Sequence, residues 1–332
     1  MKRIATYTLE TLSIILLLGF SYQFISTKID VYKYSPIGEF VDIGGYKLHF
    51  YKTGIHSGPT IVLDMGMGGN LLYWSLVQDE ISKFARVVSY DRAGLGWSDK
   101  SPKERTSKNI VEELHTLLHK ANIPEPYILV GHSFSGINAR IFANEYANEV
   151  SGVILVDSSH EDQIEKLPKQ RDFFSILLNY NQGHPVLLGL TGLGITRLYN
   201  KRTYDYKLPD NIRNMLLATN STTQFMQSCI DEWSMFPSTL EYVSKTGQNL
   251  GDKPLVVITA GMKPHDTGCA SRGFDEISCQ TAYDTWQALQ KDLVTKSTRS
   301  KQIIAENSGH NIPVDAPHVI VDAVRAMLKG NI

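Results

Sequence analysis

The chain has 332 residues, 42% of them hydrophobic and 20% charged, with a formal net charge of -1. That composition excludes disordered and fibrous classes, and the balanced charge, with no Lys/Arg stripe interleaved with aromatics, leaves no basic face for nucleic acid. The length exceeds that of an average domain, yet one enlarged α/β unit with an insertion accounts for it.

Lys2 and Arg3 precede residues 4–25, which carry a single charge, Glu10, and an unbroken apolar run over 14–20. This is the pattern of a signal anchor or a signal peptide, assigned to residues 1–26. Gly19-Phe20-Ser21 is the best small-residue cleavage site, but bulky Tyr22 and Gln23 follow it, which favours an uncleaved anchor. The alternative is an amphipathic helix packed on the domain, which has to bury Glu10. Positive charge ahead of the span keeps the N-terminus inside. The expected location is therefore membrane-anchored with the remainder outside the cytoplasm, or secreted if the segment is removed.

Residues 34–157 read as the first part of a core. Alternating apolar and polar residues over 40–54, on either side of Gly44-Gly45, predict a hairpin. Short apolar runs then recur at 60–63, 86–90, 127–130, 152–156, 254–258 and 302–305, most of them followed by a loop and a segment of helical period. Continuous β-branched runs alternating with helices indicate strands buried on both faces of a mainly parallel sheet, so the fold class is α/β. The alternation breaks over 158–252, where stretches at 176–178, 185–190, 212–217 and 225–236 look helical; this predicts a helical cap between two strands, the Gly-rich residues 189–194 being a turn that joins helices. Residues 253–332 complete the core. Cys269 and Cys279 lie close in a Gly-containing stretch, as a disulfide staple or as two free thiols, and no CxxC or Cys/His spacing marks a metal site.

The strongest local signal is Val130-Gly131-His132-Ser133-Phe134-Ser135-Gly136, which follows a buried run and precedes a helix start. A serine on so tight a strand-to-helix turn is strained and needs small residues two positions before and after, here Gly131 and Ser135. Ser133 is the candidate nucleophile; Ser135 would already lie inside the helix, and His132 reads as a packed histidine. A serine needs a base, and His310, in Ser308-Gly309-His310-Asn311, follows the last run. His318 reads as the flank of the final helix. The carboxylate that orients the base is either Asp157, at the end of the run 152–156, or Asp266, in the loop after 254–261. Both keep the chain order serine, acid, histidine, and a rigid strand end favours Asp157. Asp64-Met65-Gly66-Met67-Gly68-Gly69-Asn70 supplies a glycine-rich loop, so the Met67 and Phe134 amides are the expected oxyanion donors. No GxxxxGK[ST] or GxGxxG spacing supports a phosphate cradle instead.

These residues resemble the α/β-hydrolase superfamily, in its cap-bearing serine hydrolase branch. Asp91-Arg92-Ala93-Gly94-Leu95-Gly96-Trp97-Ser98 is similar to that family's D-x-x-G-x-G-x-S loop, and Asn307-Ser308-Gly309-His310 to its histidine loop. The resemblance spans residues 34–328 and implies an eight-stranded, mostly parallel sheet. Three positions depart from it. Ser135 stands where glycine is common, Met65-Gly66 replaces the usual His-Gly, and the usual G-x-x-D after the seventh strand is stretched. Certain cap-bearing relatives carry the acid after the sixth strand, where Asp157 stands. Dehalogenases and epoxide hydrolases of this fold use an aspartate nucleophile, so Ser133 argues against both. The expected activity is hydrolysis of a small-molecule carboxylic ester, or an amide, with an apolar group and without metal or organic cofactor. The rivals are an iminopeptidase-like peptidase, which needs Glu161, Asp162, Asp231 or Glu232 to hold a substrate amine, and a non-catalytic binding protein on the same scaffold.

Overall fold

Eight strands form one sheet in the order β1-β2-β4-β3-β5-β6-β7-β8. They are β1 (Glu39–Asp42), β2 (Lys47–Thr53), β3 (Thr60–Asp64), β4 (Arg86–Tyr90), β5 (Tyr127–His132), β6 (Val150–Val156), β7 (Leu255–Ala260) and β8 (Ser300–Ala305) in a computed structural model of the chain. The structure describes residues 2–55, 57–168, 184–203, 207–266, 269 and 275–332. β1 with β2 and β2 with β4 are antiparallel, and every other pair is parallel. The hairpin closes where the glycine pair predicts: Gly44 and Gly45 have φ of 128° and 99°, and Asp42 Oδ1 accepts both of their amides at 2.8 Å.

The central strands are apolar throughout because both faces are covered. On β5, Tyr127 and Leu129 join one core with Ile110, Leu114 and Leu117 of a helix Ser107–Lys120, while Ile128 and Val130 join the other with Val77, Ile81, Ile320 and Val324. Parallel strands with one helix-bearing connection after another bring their C-terminal ends to a common edge, where ligands bind in open α/β sheets.

Between β6 and β7 the described residues are helical and contain no strand: α5 (Gln163–Lys166), α6 (His184–Gly192), α7 (Ile195–Thr203), α8 (Asp210–Asn220) and α9 (Thr223–Thr246), counting α1 to α4 as Lys2–Lys33, Ser75–Ser82, Ser107–Lys120 and Phe134–Glu145. The helix expected at 176–178 lies outside the described residues. Residues 189–194 divide differently from the expected turn. Gly189 and Gly192 sit within α6, and the chain turns only at Leu193 and Gly194, the latter with φ 76°.

α1 also runs further than the 1–26 segment. It is a single helix to Lys33, and residues 6–18 are exposed along their whole length. Its second half docks on the helical insertion. Gln23 Nε2 donates to the Ser221 carbonyl at 2.6 Å, Arg197 Nε donates to Gln23 Oε1 at 3.1 Å, and the Arg197 guanidinium pairs with Asp30. A Cβ on Gly19 would stand 3.0 Å from the Leu193 carbonyl oxygen, so glycine permits this approach. Glu10 is exposed, not buried against the domain. Cys269 and Cys279 are joined in a disulfide, with Cα atoms 6.0 Å apart, and Cys229 is free.

Candidate active site

β5 ends at His132 and α4 begins at Phe134, so Ser133 occupies the turn itself, with φ 54° and ψ -123°. A non-glycine residue at such a φ costs of order 1–3 kcal/mol and persists only where neighbours over-determine it. Here the Ser133 amide donates to the Val156 carbonyl at 3.0 Å, and the Ser133 carbonyl accepts from Gly136 and Ser159 amides at 3.0 and 2.9 Å. The turn folds back so tightly that a Cβ on Gly131 would lie 2.3 Å from the Ser135 carbonyl oxygen.

The edge formed by the strand ends brings three distant side chains into line. His310 Nε2 is 3.0 Å from Ser133 Oγ, and His310 Nδ1 is 2.6 Å from Asp157 Oδ2. The other Asp157 oxygen accepts from the Ala260 amide at 3.0 Å and from Trp286 Nε1 at 2.8 Å. Asp157 is buried directly after β6, itself at a positive φ of 42°. Burial pushes its carboxyl upward, but the hydrogen bond and charge of His310, with Trp286 and Ala260, outweigh this and hold it below the ordinary aspartate value. Asp266, the alternative acid, is exposed and lies 3.1 Å from His265 Nε2 instead. His318 is exposed near the start of the helix Pro317–Leu328.

The loop after β3 lies against this serine: a Cβ on Gly66 would stand 2.9 Å from His132 Nδ1 and 3.0 Å from Ser133 Cβ. Among the described residues no hydrogen bond uses the Met67 amide, and Phe134 is the first residue of α4, where amides lack an intrahelical acceptor.

A family description, the α/β-hydrolase fold, matches residues 59–184. The chain has the α/β-hydrolase fold. Among proteins to which this chain is similar, the uncharacterized protein YqjL of Bacillus subtilis (strain 168) is 25% identical over 278 residues, covering 84% of this chain and 87% of that one. The Cif epoxide hydrolase from Acinetobacter nosocomialis superposes with a TM-score of 0.70 at 15% identity, over 93% of this chain and 96% of that one. A putative lipase (lip1) from Acinetobacter baumannii AYE superposes with a TM-score of 0.61 at 18% identity, over 89% and 92%. At such identities the two structures establish the shared fold.

Two features of this α/β-hydrolase fold were not legible as motifs. The first is a buried arginine that joins the site to the insertion. Arg92 binds Asp64 Oδ1 at 2.7 Å, both oxygens of Glu232 at 2.7 and 3.0 Å, and the Gly66 carbonyl at 2.8 Å. Glu232, on α9, also accepts the Gly68 amide at 3.1 Å. Ser135 does more than fit its tight position. Its hydroxyl donates to the Met65 carbonyl at 2.6 Å and accepts from Arg92 at 3.1 Å, tying α4 to the glycine-rich loop. Burying this many charges is tolerated because each is paired and hydrogen-bonded.

Of the four acids on which the peptidase alternative rests, two are paired with buried arginines. Glu232 is committed to Arg92, and Glu161 pairs with Arg140 and Lys296, each at 2.9 Å. Asp162 binds Lys166 at 2.6 Å, and Asp231 accepts from Gln227 at 2.8 Å with Lys100 3.8 Å away. Glu232 and Glu161 are thus occupied by buried arginines, whereas Asp162 and Asp231 remain about one-third exposed.

The second feature is His132. It is buried, as expected of a packed histidine, but its Nε2 donates to the His310 carbonyl at 2.8 Å and so holds the loop that carries His310. Burial, and then the neighbouring His310, push the His132 imidazole down to about 3. An unfolded histidine titrates near ~6.5. Between those values the unfolded chain holds the proton and the folded chain does not. Stability from this group is therefore complete above pH ~6.5 and is lost as pH falls, by about 2 kcal/mol at pH ~5. Denaturant unfolding of the wild type should show that loss, and His132→Gln should reduce it; equal pH slopes would refute the assignment.

Proposed function

We propose that the chain is a serine hydrolase that cleaves a carboxylic ester, or less readily an amide, through an acyl-enzyme on Ser133. The observation that carries this reading is the unbroken line from Asp157 through His310 to Ser133, with contacts of 2.6 and 3.0 Å, on a serine held at positive φ. In this mechanism Ser133 Oγ attacks the substrate carbonyl carbon while its proton passes to His310 Nε2. His310 Nδ1-H donates to Asp157, which fixes the tautomer and stabilises the imidazolium. The negative oxygen of the tetrahedral intermediate lies against the Met67 and Phe134 amides. Collapse breaks the bond to the alcohol, which leaves with the proton from Nε2. Water, deprotonated by the same nitrogen, then releases the acid and restores Ser133.

The insertion over 158–252 acts as a cap, with 34–157 and 253–332 as the core. α9 brings Cys229 and Phe225 against Gly68, which a Cβ would place 3.0 and 4.0 Å from their side chains. An apolar lining beside the reacting carbonyl suits an ester with an apolar acyl or alcohol group, and the test is turnover of a graded series of acyl esters together with labelling by a fluorophosphonate.

α1 serves as an uncleaved anchor. The stretch Thr6–Lys33 is long and apolar enough to cross a membrane. A disulfide at Cys269 and Cys279 suits an oxidising compartment outside the cytoplasm. Deleting residues 1–18 removes the stretch that is exposed on every side and keeps Gly19, Gln23 and Asp30 on the insertion. The truncated chain should move from the membrane fraction to the soluble one with its ester hydrolysis intact. Retention in the membrane, or loss of activity, would make the segment part of the fold and not an anchor.

A further inference from the structure

Far from the serine, His115 and His119 occupy successive turns of α3, four residues apart, and therefore share one face of the helix. Glu149 ends the short turn Ala147–Glu149 ahead of β6 and places one oxygen 3.0 Å from His115 Nε2 and the other 3.1 Å from His119 Nε2. The three ligand atoms all lie within 4.8 Å of one another. We propose that His115, His119 and Glu149 form a structural site for a divalent zinc ion.

A tetrahedral zinc with bonds of ~2.0–2.1 Å sets its ligand atoms roughly 3.3 Å apart. The two nitrogens approach different oxygens of Glu149, at 3.0 and 3.1 Å, and with the ligand atoms within 4.8 Å of one another the rings and the carboxylate have to close by up to about 1.5 Å around the ion. Packing fixes the His115 ring, which stacks on Tyr146 at 3.7 Å between centroids and 4° between planes. The His119 side chain is 52% exposed, which leaves the fourth position open to a water. Without metal, each Nε2-H donates to the carboxylate. Binding requires each imidazole to turn an unprotonated Nε2 to the ion and to carry its remaining proton on Nδ1. Two imidazoles and a carboxylate suit zinc better than magnesium or calcium, which prefer oxygen alone.

The position defines the role. Glu149 immediately precedes β6 and Asp157 immediately follows it, so the two ends are on the order of 25 Å apart at about 3.3 Å per residue. The ion would cross-link α3 to the start of a central strand and would not touch the reaction. The spacing of the two histidines alone did not mark it, because the third ligand comes from a turn 30 residues beyond His119.

Calorimetric titration of the purified full chain with zinc chloride tests the site, with thermal unfolding as a second readout. The wild type should bind one equivalent saturably and gain roughly 3–5 °C in Tm at a hundredfold excess over Kd. His119→Gln, at a half-exposed position that carries no core packing, should bind at least about tenfold more weakly and lose the Tm gain. Its ester hydrolysis should be unchanged. No saturable binding by the wild type, or equal binding by wild type and His119→Gln, overturns the proposal whatever becomes of the serine chemistry.

Discussion

Ser133→Ala should abolish ester hydrolysis and fluorophosphonate labelling while leaving the unfolding transition in place. The hydroxyl makes one contact among the described residues, to His310 Nε2 at 3.0 Å, so its loss leaves no buried partner unsatisfied. The strain at φ 54° is held by backbone hydrogen bonds, which alanine keeps. In enzymes that use such a serine as nucleophile, removing it costs roughly 10⁶-fold in kcat. Turnover within tenfold of wild type would sink the mechanism, and an inert but well-folded wild type that fails to label would favour a binding protein on this scaffold.

The second large effect is expected at Asp157. In Asp157→Asn the retained oxygen can still accept from Ala260 and Trp286, so the fold should survive. The new amide then faces His310 Nδ1 with a donor. Nδ1 must become the acceptor, the ring proton moves to Nε2, and the base can no longer take the proton of Ser133. The kcat should fall by up to ~10⁴-fold. Asp266→Asn, at an exposed side chain paired with His265, should be mild. The reverse pattern, a severe Asp266→Asn and a mild Asp157→Asn, would transfer the orienting role to the loop and leave the nucleophile assignment standing. Steady-state kinetics of the two variants on one ester distinguishes these results.

The difference between those two aspartates illustrates what the amino-acid sequence determines and what it leaves to packing. Short β-branched runs separated by helical periods require a parallel sheet buried on both faces, because no other arrangement covers both sides of each strand. Gly131 and Ser133 at the end of such a run require a strained turn, because only a minimal side chain fits two positions from the serine. Gly44 and Gly45 likewise mark their hairpin, through a φ that side chains resist. All of these are local: the residues that impose the geometry lie within a few positions of those that adopt it. The remaining features depend on partners far apart in the chain. Asp157 and His310 are 153 residues apart, Arg92 and Glu232 are 140 apart, and Asp157 and Trp286 are 129 apart. A lone tryptophan on an amphipathic helix, or a serine in place of glycine at 135, carries no sign of which distant atom it will meet. The docking of α1 through Gln23 and Arg197 is of the same kind, since residues 174 apart meet only once the insertion has folded. Sequence periodicity therefore determined the sheet and the turn that carries Ser133, and tertiary packing alone decided which carboxylate reaches the histidine, because that choice depends on atomic positions that only the assembled strand ends bring together.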